Sequence, residues 1–327
     1  MQYKQLGKSD LKISQVSFGT WAIGGSWGES SDQEAMAGLL KAVEGGVNFF
    51  DTADVYGDGH SEQLLAKLQK EVSDEFMVAT KFGRQGKFDD PSNYTRAKIT
   101  QYCEDSLSRL NREALDLYQI HCAPLSILKE TDVFPILDDL KQEGKIRYYG
   151  VSVENDEEGL FVINHTNATS LQVIFNMLRQ KPLKELFPTA QANGVGILAR
   201  VPLASGLLSG KYHKGYQFPQ DDHRHFNRDG QAFNVGETFG GLPFETALEL
   251  IEQLDWVKEG RGGLAQAALK WILQQEAVTT VIPGFKNPKQ VTQNLASLSV
   301  PDFSAEELNR LSEFYWEKVH QHIRGTY

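Results

Sequence analysis

Short runs of β-branched and aromatic residues alternate along this chain with longer segments whose apolar positions recur every three or four residues. Eight short runs stand out: Gln15–Thr20, Val47–Asp51, Met77–Lys81, Asp116–His121, Arg147–Ser152, Leu171–Phe175, Gly196–Arg200 and Thr279–Pro283. Strand followed by helix, repeated, is the rhythm of βαβ units, in which each helix carries the chain back so that the strands lie parallel. Eight parallel strands close on themselves, so the pattern predicts an α/β fold of the (β/α)8 TIM-barrel type. Helix punctuation agrees. Ser31-Asp-Gln-Glu34 reads as a capping box and Gly45-Gly46 ends the helix it opens, while Gly144 and Gly194 stop two later helices.

Ahead of the first strand, Tyr3–Leu6 and Leu11–Ser14 flank Gly7-Lys-Ser-Asp10, which predicts a β-hairpin covering the bottom of the barrel. From Pro202 to Pro243, after strand seven, the chain shows neither period and is rich in Gly, His, Asp and Phe. Loops this long are lids, binding loops or disordered segments. A domain boundary there is the alternative, but the helix and strand needed to finish the barrel lie beyond it. A barrel occupies roughly 200 to over 400 residues, so the 327 residues, 1–327, are expected to form one domain.

Composition narrows the class of function. With 40% hydrophobic and 23% charged residues the chain is of ordinary globular type. The start, MQYKQLGKSDLKIS, lacks the apolar run of a signal peptide, and nothing approaches the roughly 18 apolar residues of a membrane span, so a cytoplasmic protein is expected. Two cysteines, Cys103 and Cys122, do not make a disulfide framework, and the Asn-x-Thr triplets at Asn93, Asn164 and Asn167 are then chance. A net charge of −10 opposes attraction to phosphate backbones and anionic lipid, which argues against nucleic-acid and membrane partners.

Four residues share one geometric place. Asp51 ends the second strand, Tyr56 follows it, Lys81 ends the third and His121 ends the fourth, and catalytic groups of a barrel sit at those C-terminal ends. Singly, Asp51 could cap a turn, Tyr56 could be a packed loop aromatic and His121 a hydrogen-bonded core histidine. Lys81 ends the apolar run from Phe76, so its ammonium points into the barrel mouth and needs a carboxylate, which Asp51 on the neighbouring strand can supply.

The segments Asp51-Thr-Ala-Asp-Val-Tyr-Gly57, Thr80-Lys81 and Gln119-Ile-His121 resemble the catalytic tetrad of the aldo-keto reductases. Gly19-Thr-Trp21, Lys145–Ser152, Gly206–Lys211 and Ile282-Pro-Gly284 are similar to that family in the same order, so the resemblance covers nearly the whole chain. It extends to the bacterial, general-stress and channel-β-subunit-like branches, and it implies reduction of an aldehyde or ketone to an alcohol by hydride transfer from NADP(H). An acid must then protonate the carbonyl oxygen. Tyrosine is a weak acid, and a lysine cation about 4 Å away is worth at most about 4 kcal/mol, enough to draw the phenol down by up to roughly three pH units. Tyr56 is therefore the expected general acid, Asp51 holds Lys81 charged, and the resemblance gives a neutral His121 the task of orienting the substrate oxygen.

No Gly-x-Gly-x-x-Gly opens a helix after a strand, so a Rossmann site is not expected. The resemblance instead lays the cofactor across the barrel top. It implies contacts from Gly19, Thr20, Trp21 and Asp51; from Ser152 and Gln172 at the nicotinamide amide; and from Arg200, Pro202 and Leu203. The loop carrying Gly206, Leu207, Ser209 and Lys211 would meet the pyrophosphate. Gly284, Lys286, Gln290, Gln293 and Asn294 would meet the adenosine end, with Lys286 and Asn287 at a 2′-phosphate, unless Lys286 is a solvated surface lysine.

Three positions depart from the family pattern. Val153 replaces an asparagine, Arg200 replaces an aromatic that stacks on nicotinamide, and Cys122 replaces an aromatic beside His121. The Arg200 charge would favour the reduced cofactor. No metal site is expected: Cys122 should point away from His121 with no further ligand near, and His223-Arg-His225 after Asp221-Asp222 reads as a solvated lid. His320 and His322 do not share a helix face, and the helix opened by Ser304-Ala-Glu-Glu307 is expected beside the barrel, its end near the substrate loops. The competing readings are a nucleotide-sensing regulatory subunit and a lyase or isomerase using Lys81 as a Schiff base. Trp27, Tyr212, Phe218 and His225 are candidate lid residues, the partner is a small carbonyl compound, and the chain is expected as a monomer or weak homo-oligomer.

Overall fold

The computed structural model describes residues 1–25 and 31–327. Strands β1 (Tyr3–Gln5) and β2 (Lys12–Ser14) pair antiparallel, Tyr3 opposite Ser14, as the expected hairpin. Then follow β3 (Phe18–Gly19), β4 (Phe49–Asp51), β5 (Met77–Phe82), β6 (Leu115–His121), β7 (Ile146–Ser152), β8 (Ser170–Ile174), β9 (Gly196–Arg200) and β10 (Val278–Val281). All eight are parallel neighbours in sequence order. Ser17 N donates to Val281 O at 2.9 Å and Gly19 N to Pro283 O at 3.1 Å, which joins first strand to last and closes a (β/α)8 barrel. The end strands are shorter than the apolar runs that predict them.

Alternation within each strand explains both faces. Residues such as Phe50, Val78, Tyr118, Val151 and Ile197 point outward into the core shared with the helices. Inward-pointing Phe49, Ala79, Leu117 and Leu198 cluster with Leu6, Leu11 and Ile13 of the hairpin, so the hairpin plugs the bottom with apolar side chains. Its turn uses Gly7 at φ +52°, where a Cβ would lie 2.4 Å from Thr169 O; only glycine lets the hairpin sit this close. Two steps further up the same strands the inward positions become polar, which puts the chemistry at the opposite mouth.

Of the capping signals, Ser304 and Glu307 form a complete box. At Ser31 only half forms: its hydroxyl accepts from Glu34 N at 3.2 Å, with no return bond among the described residues. The loop after β9 is not structureless. It contains 3-10 turns at Ala204–Ser209, Val235–Glu237 and Phe239–Gly241 and one helical turn at His223–Phe226. Tyr212, Phe218, Phe239 and Phe244 pack ring to ring beneath it, with centroids 5.0 to 6.2 Å apart. The helix Leu264–Leu273 and β10 then resume the βα rhythm. No described helix is long and apolar enough to cross a membrane.

Candidate active site

Asp51 and His121 are the last residues of β4 and β6, and Lys81 is the penultimate residue of β5. Tyr56 reaches the same mouth through the turn after β4. There Gly57, at φ +63°, passes so near Gly24 that a Cβ would lie 2.2 Å from its carbonyl oxygen, so the glycine after Tyr56 sets the path of the turn. Lys81 Nζ donates to Asp51 Oδ1 at 2.6 Å, Thr52 O at 2.7 Å and Tyr56 Oη at 3.3 Å, which uses all three ammonium protons. Asp51 Oδ2 accepts from Gln119 Nε2 at 3.0 Å and Gln172 Nε2 at 2.7 Å. The pair is thus buried with its remaining polar atoms satisfied. The Tyr56 ring stands edge-on to His121 at 5.9 Å and stacks with Trp21 at 6.0 Å.

The acid–base states follow from burial and charge. Burial opposes the Lys81 cation, but Asp51 and Tyr56 outweigh it and raise its pKa. Burial, then Arg84, Lys81 and Arg200, push His121 well below the ordinary histidine range, so it is neutral. For Tyr56 the expected depression does not occur. Burial raises its pKa above 10, and Asp51 and Glu237 add to that rise, which together exceed the lowering by Lys81. The phenol is neutral in this site.

The mouth holds charges that motif reading misses. Arg84, beyond β5, donates to Glu154 at 3.2 Å and to Glu237 at 3.0 Å. Arg200 at the end of β9 donates to Glu154 at 3.2 Å and lies 3.6 Å from Glu237. Arg200 is therefore charge-compensated, which removes the basis for a preference for reduced cofactor. Cys122 also faces this group: at φ +55° it leaves the extended strand, its thiol donates to Ser152 Oγ at 3.3 Å, and Arg200 lies 3.4 Å away. Cys122, Glu154 and Glu237 bring their ligand atoms within 4.8 Å of one another, contrary to the expectation of no ligand nearby. The arginines occupy both carboxylates, and burial pushes the thiol up to about 12. Gln119 and Arg84 had a legible signal, being two residues before His121 and three after Lys81; Glu237 had none.

A second buried group lies behind Lys81. Glu62 accepts from Thr80 Oγ1 and Arg109 Nε at 2.5 Å each. Asp54 is 1% exposed, and among the described residues its carboxyl has no side-chain hydrogen-bond partner, only the neighbouring Val55 N–H acting on it. Burial and Glu62 push its pKa up to about 7.

The residues expected at a cofactor are distributed as follows. Ser152 Oγ donates to Gln172 Oε1 at 3.4 Å, tying both to the Asp51 network. Thr20 is fully buried, donating to Asp51 O at 3.0 Å, and Leu207 is a core residue. Gly19 joins β3 to the exposed turn at Gly284, while Pro202, Leu203, Gly206 and Ser209 form the tight turns leaving β9. Asn287 caps the helix Pro288–Leu295 through Gln290 N, Gln290 Oε1 accepts from Lys286 N at 2.8 Å, and Asn294 donates to Gly284 O at 3.2 Å. Gln293 is exposed. Lys286 is half-buried rather than a solvated lysine. Burial lowers the pKa of both Lys286 and Lys211, and Arg224 lowers both further. Two lysines lowered by burial, with the Asp222-paired Arg224 beside them, suit an anionic phosphate group. Asp222 and Arg224 are a buried ion pair, Oδ1 to Nε 2.8 Å, and His223 is fully buried, so that segment is not a solvated lid as expected. Asp222 caps the turn and the guanidinium lies over Phe218 at 4.9 Å, which explains the burial. Tyr212 and Phe218 belong to the aromatic cluster and His225 is exposed, while Trp27 lies outside the described residues.

A closed eight-stranded barrel with its ionisable groups gathered at the C-terminal mouth is the architecture of a TIM-barrel enzyme. The family model "Aldo/keto reductase family" matches residues 15–315, and the chain belongs to that family. It is 30% identical over 298 residues to the aldo-keto reductase YhdN of Bacillus subtilis (strain 168), covering 89% of this chain and 87% of that one. Its fold matches the glycerol dehydrogenase AKR11B4 of Gluconobacter oxydans with a TM-score of 0.79 at 29% identity, over 100% and 98% of the two chains. It also matches the holo form of aldo-keto reductase AKR11C1 of Bacillus halodurans with a TM-score of 0.76 at 29% identity, over 96% of each.

Proposed function

We propose that this protein is an NADP(H)-dependent carbonyl reductase whose 327 residues form one barrel domain, with Tyr56 as general acid toward an aldehyde or ketone. The observation that carries the reading is the 3.3 Å contact of Lys81 Nζ with Tyr56 Oη, made while Asp51 holds the other side of the ammonium. NADPH, when bound, supplies the hydride. Lys286, Lys211, Arg224 and the turn at Gly206 supply positive charge and backbone for its phosphates, and Trp21, Ser152 and Gln172 line the nicotinamide end.

Tyr56, neutral before reaction, gives its phenolic proton to the carbonyl oxygen as that oxygen becomes an alkoxide. The phenolate left behind is stabilised by Lys81, whose charge Asp51 preserves, and burial strengthens that attraction. Neutral His121 orients the carbonyl oxygen by hydrogen bonding, and its low pKa keeps it from competing as an acid. Likeness to a glycerol dehydrogenase supports small carbonyl compounds and their alcohols as substrates. The test follows loss of NADPH absorbance against a panel of aldehydes, ketones and keto-sugars. Oxidation of NADPH with at least one is expected, and a protein that binds NADPH but reduces none of them is a sensor instead.

A further inference from the structure

Beside Tyr56 and His121 lie two guanidinium groups and two carboxylates that carbonyl reduction does not itself require. Arg84, Glu154 and Arg200 stand on or just beyond the barrel strands β5, β7 and β9. Glu237 comes from the loop after β9, in the turn Val235–Glu237, and its side chain is 7% exposed. Arg84 donates to it at 3.0 Å and Arg200 lies 3.6 Å from it. The donors outnumber the acceptors: the Nε–H of Arg84 and that of Arg200 are both buried with no acceptor among the described residues. With Glu237 in contact the four charges cancel. Displacing Glu237 leaves two guanidiniums facing one carboxylate, an excess positive charge in a low-dielectric mouth, which is costly until another anion takes its place.

We propose that Glu237 is a displaceable internal counter-anion at a subsite for the carboxylate or phosphate group of the substrate, and that Arg84 is the residue that selects for that group. The inference rests on the reading of Tyr56 and His121 as the carbonyl site. Exchange of one carboxylate for a substrate anion changes no net charge, whereas a neutral substrate that moved Glu237 would strand a guanidinium. The planar fork of arginine suits both oxyanions. The position is near enough to the chemistry that the Arg84 charge acts on both His121 and Tyr56.

The test uses the full chain in low-chloride buffer. Calorimetry measures binding of glycerol 3-phosphate and of succinate, with glycerol as neutral control, and the two anions separate a phosphate from a carboxylate preference. In parallel, kcat/KM is compared for glyceraldehyde 3-phosphate against glyceraldehyde and for succinic semialdehyde against butanal. At least one anion should bind where glycerol does not, and its carbonyl counterpart should be favoured. Arg84→Met should reduce both the binding and that ratio by about 10- to 100-fold, as loss of a charged hydrogen-bond partner does, and Glu237→Gln should tighten anion binding by removing the competitor. If Arg84→Met does not fold, Arg84→Lys, which keeps charge but not the fork, should lower the ratio partially. Equal treatment of charged and neutral carbonyls with no anion binding overturns the subsite and leaves the reductase reading intact. Charge-selective binding lost in Arg84→Met, with no carbonyl reduced, upholds the subsite and overturns the reductase reading.

Discussion

Arg84 and Glu237 are separated by 153 residues yet meet at 3.0 Å, so one side chain ties the loop after β9 to the strand-end segment that follows Lys81. Both are largely buried, within a group of four charges that Glu154 and Arg200 complete. A double-mutant cycle in urea unfolding should expose this. Arg84→Met and Glu237→Gln should each cost about 3 kcal/mol or more, because each turns a balanced group of four buried charges into three with one in excess. The double substitution should cost less than the sum, with a coupling of about 0.5 to 3 kcal/mol. Additive losses would mean that the two charges are solvated rather than paired.

Asp51 carries three hydrogen bonds from Lys81, Gln119 and Gln172 and is 2% exposed. Asp51→Ala leaves a buried ammonium unpaired and should lower the free energy of unfolding by about 3 to 5 kcal/mol. Chemical denaturation checks this, and a loss under 1 kcal/mol, the range of an exposed pair, would contradict the burial argument.

Asp54 gives the protein a pH dependence of unusual sign. Its carboxyl is raised from 3.8 to about 7, so between those values the folded state holds a proton that the unfolded chain has released. Stability should therefore fall as pH rises through this window, by up to about 4 kcal/mol from this group, and level off above it. His121 works the other way, since a depressed histidine costs stability as pH falls. The difference between the protein and its Asp54→Asn variant isolates the carboxyl. The variant should be more stable at pH 8 and nearly equal at pH 4, and parallel curves would show that Asp54 is ionised in the fold.

Lys286 shares its surroundings with Lys211 and Arg224: after burial, Arg224 lowers the pKa of both lysines and Lys286 lowers that of Lys211 further, while Arg224 itself is held charged by Asp222. A 2′-phosphate would relieve that crowding, so NADPH should bind more tightly than NADH. Lys286→Ala should cost NADPH about 1.5 to 3 kcal/mol and leave NADH little changed. Fluorescence titration of both cofactors decides it, and equal affinities in the unmutated protein would remove the phosphate role.

The barrel is legible in the chain because strands buried on both faces read as apolar runs, and helices between them carry their own caps. Asp51, Lys81 and His121 are legible for a related reason: a polar residue ending such a run has only the mouth to point into. Glu237 is not, because its loop has no period and its partners arrive only through folding. Cys122 is misread because its left-handed conformation breaks the alternation that strand logic assumes. The direction of the Tyr56 pKa is misread for a different reason. Lys81 is visible in sequence as a neighbour, whereas the depth of burial and the carboxylate of Glu237 are not. Long-range charge and desolvation are properties of the assembled mouth, so the residues of a site can be named before its acid–base balance can.

The Tyr56 hydroxyl separates catalysis from sensing most directly. Tyr56→Phe keeps the ring, its stacking on Trp21 and its edge contact with His121, and removes only the group that Lys81 contacts at 3.3 Å. Because the phenol is neutral in the resting site, it starts with the proton that the carbonyl oxygen needs, and its loss should act on the chemical step rather than on folding. Turnover should drop by about 10² to 10⁴, the usual contribution of positioned proton transfer. NADPH affinity should stay within a few fold, since the hydroxyl is not among the groups expected at the cofactor phosphates. Stopped-flow reduction measures the first and cofactor fluorescence the second. A variant that reduces carbonyls at nearly the original rate would assign proton donation to a group other than Tyr56, and not to His121, which burial, Arg84, Lys81 and Arg200 hold neutral.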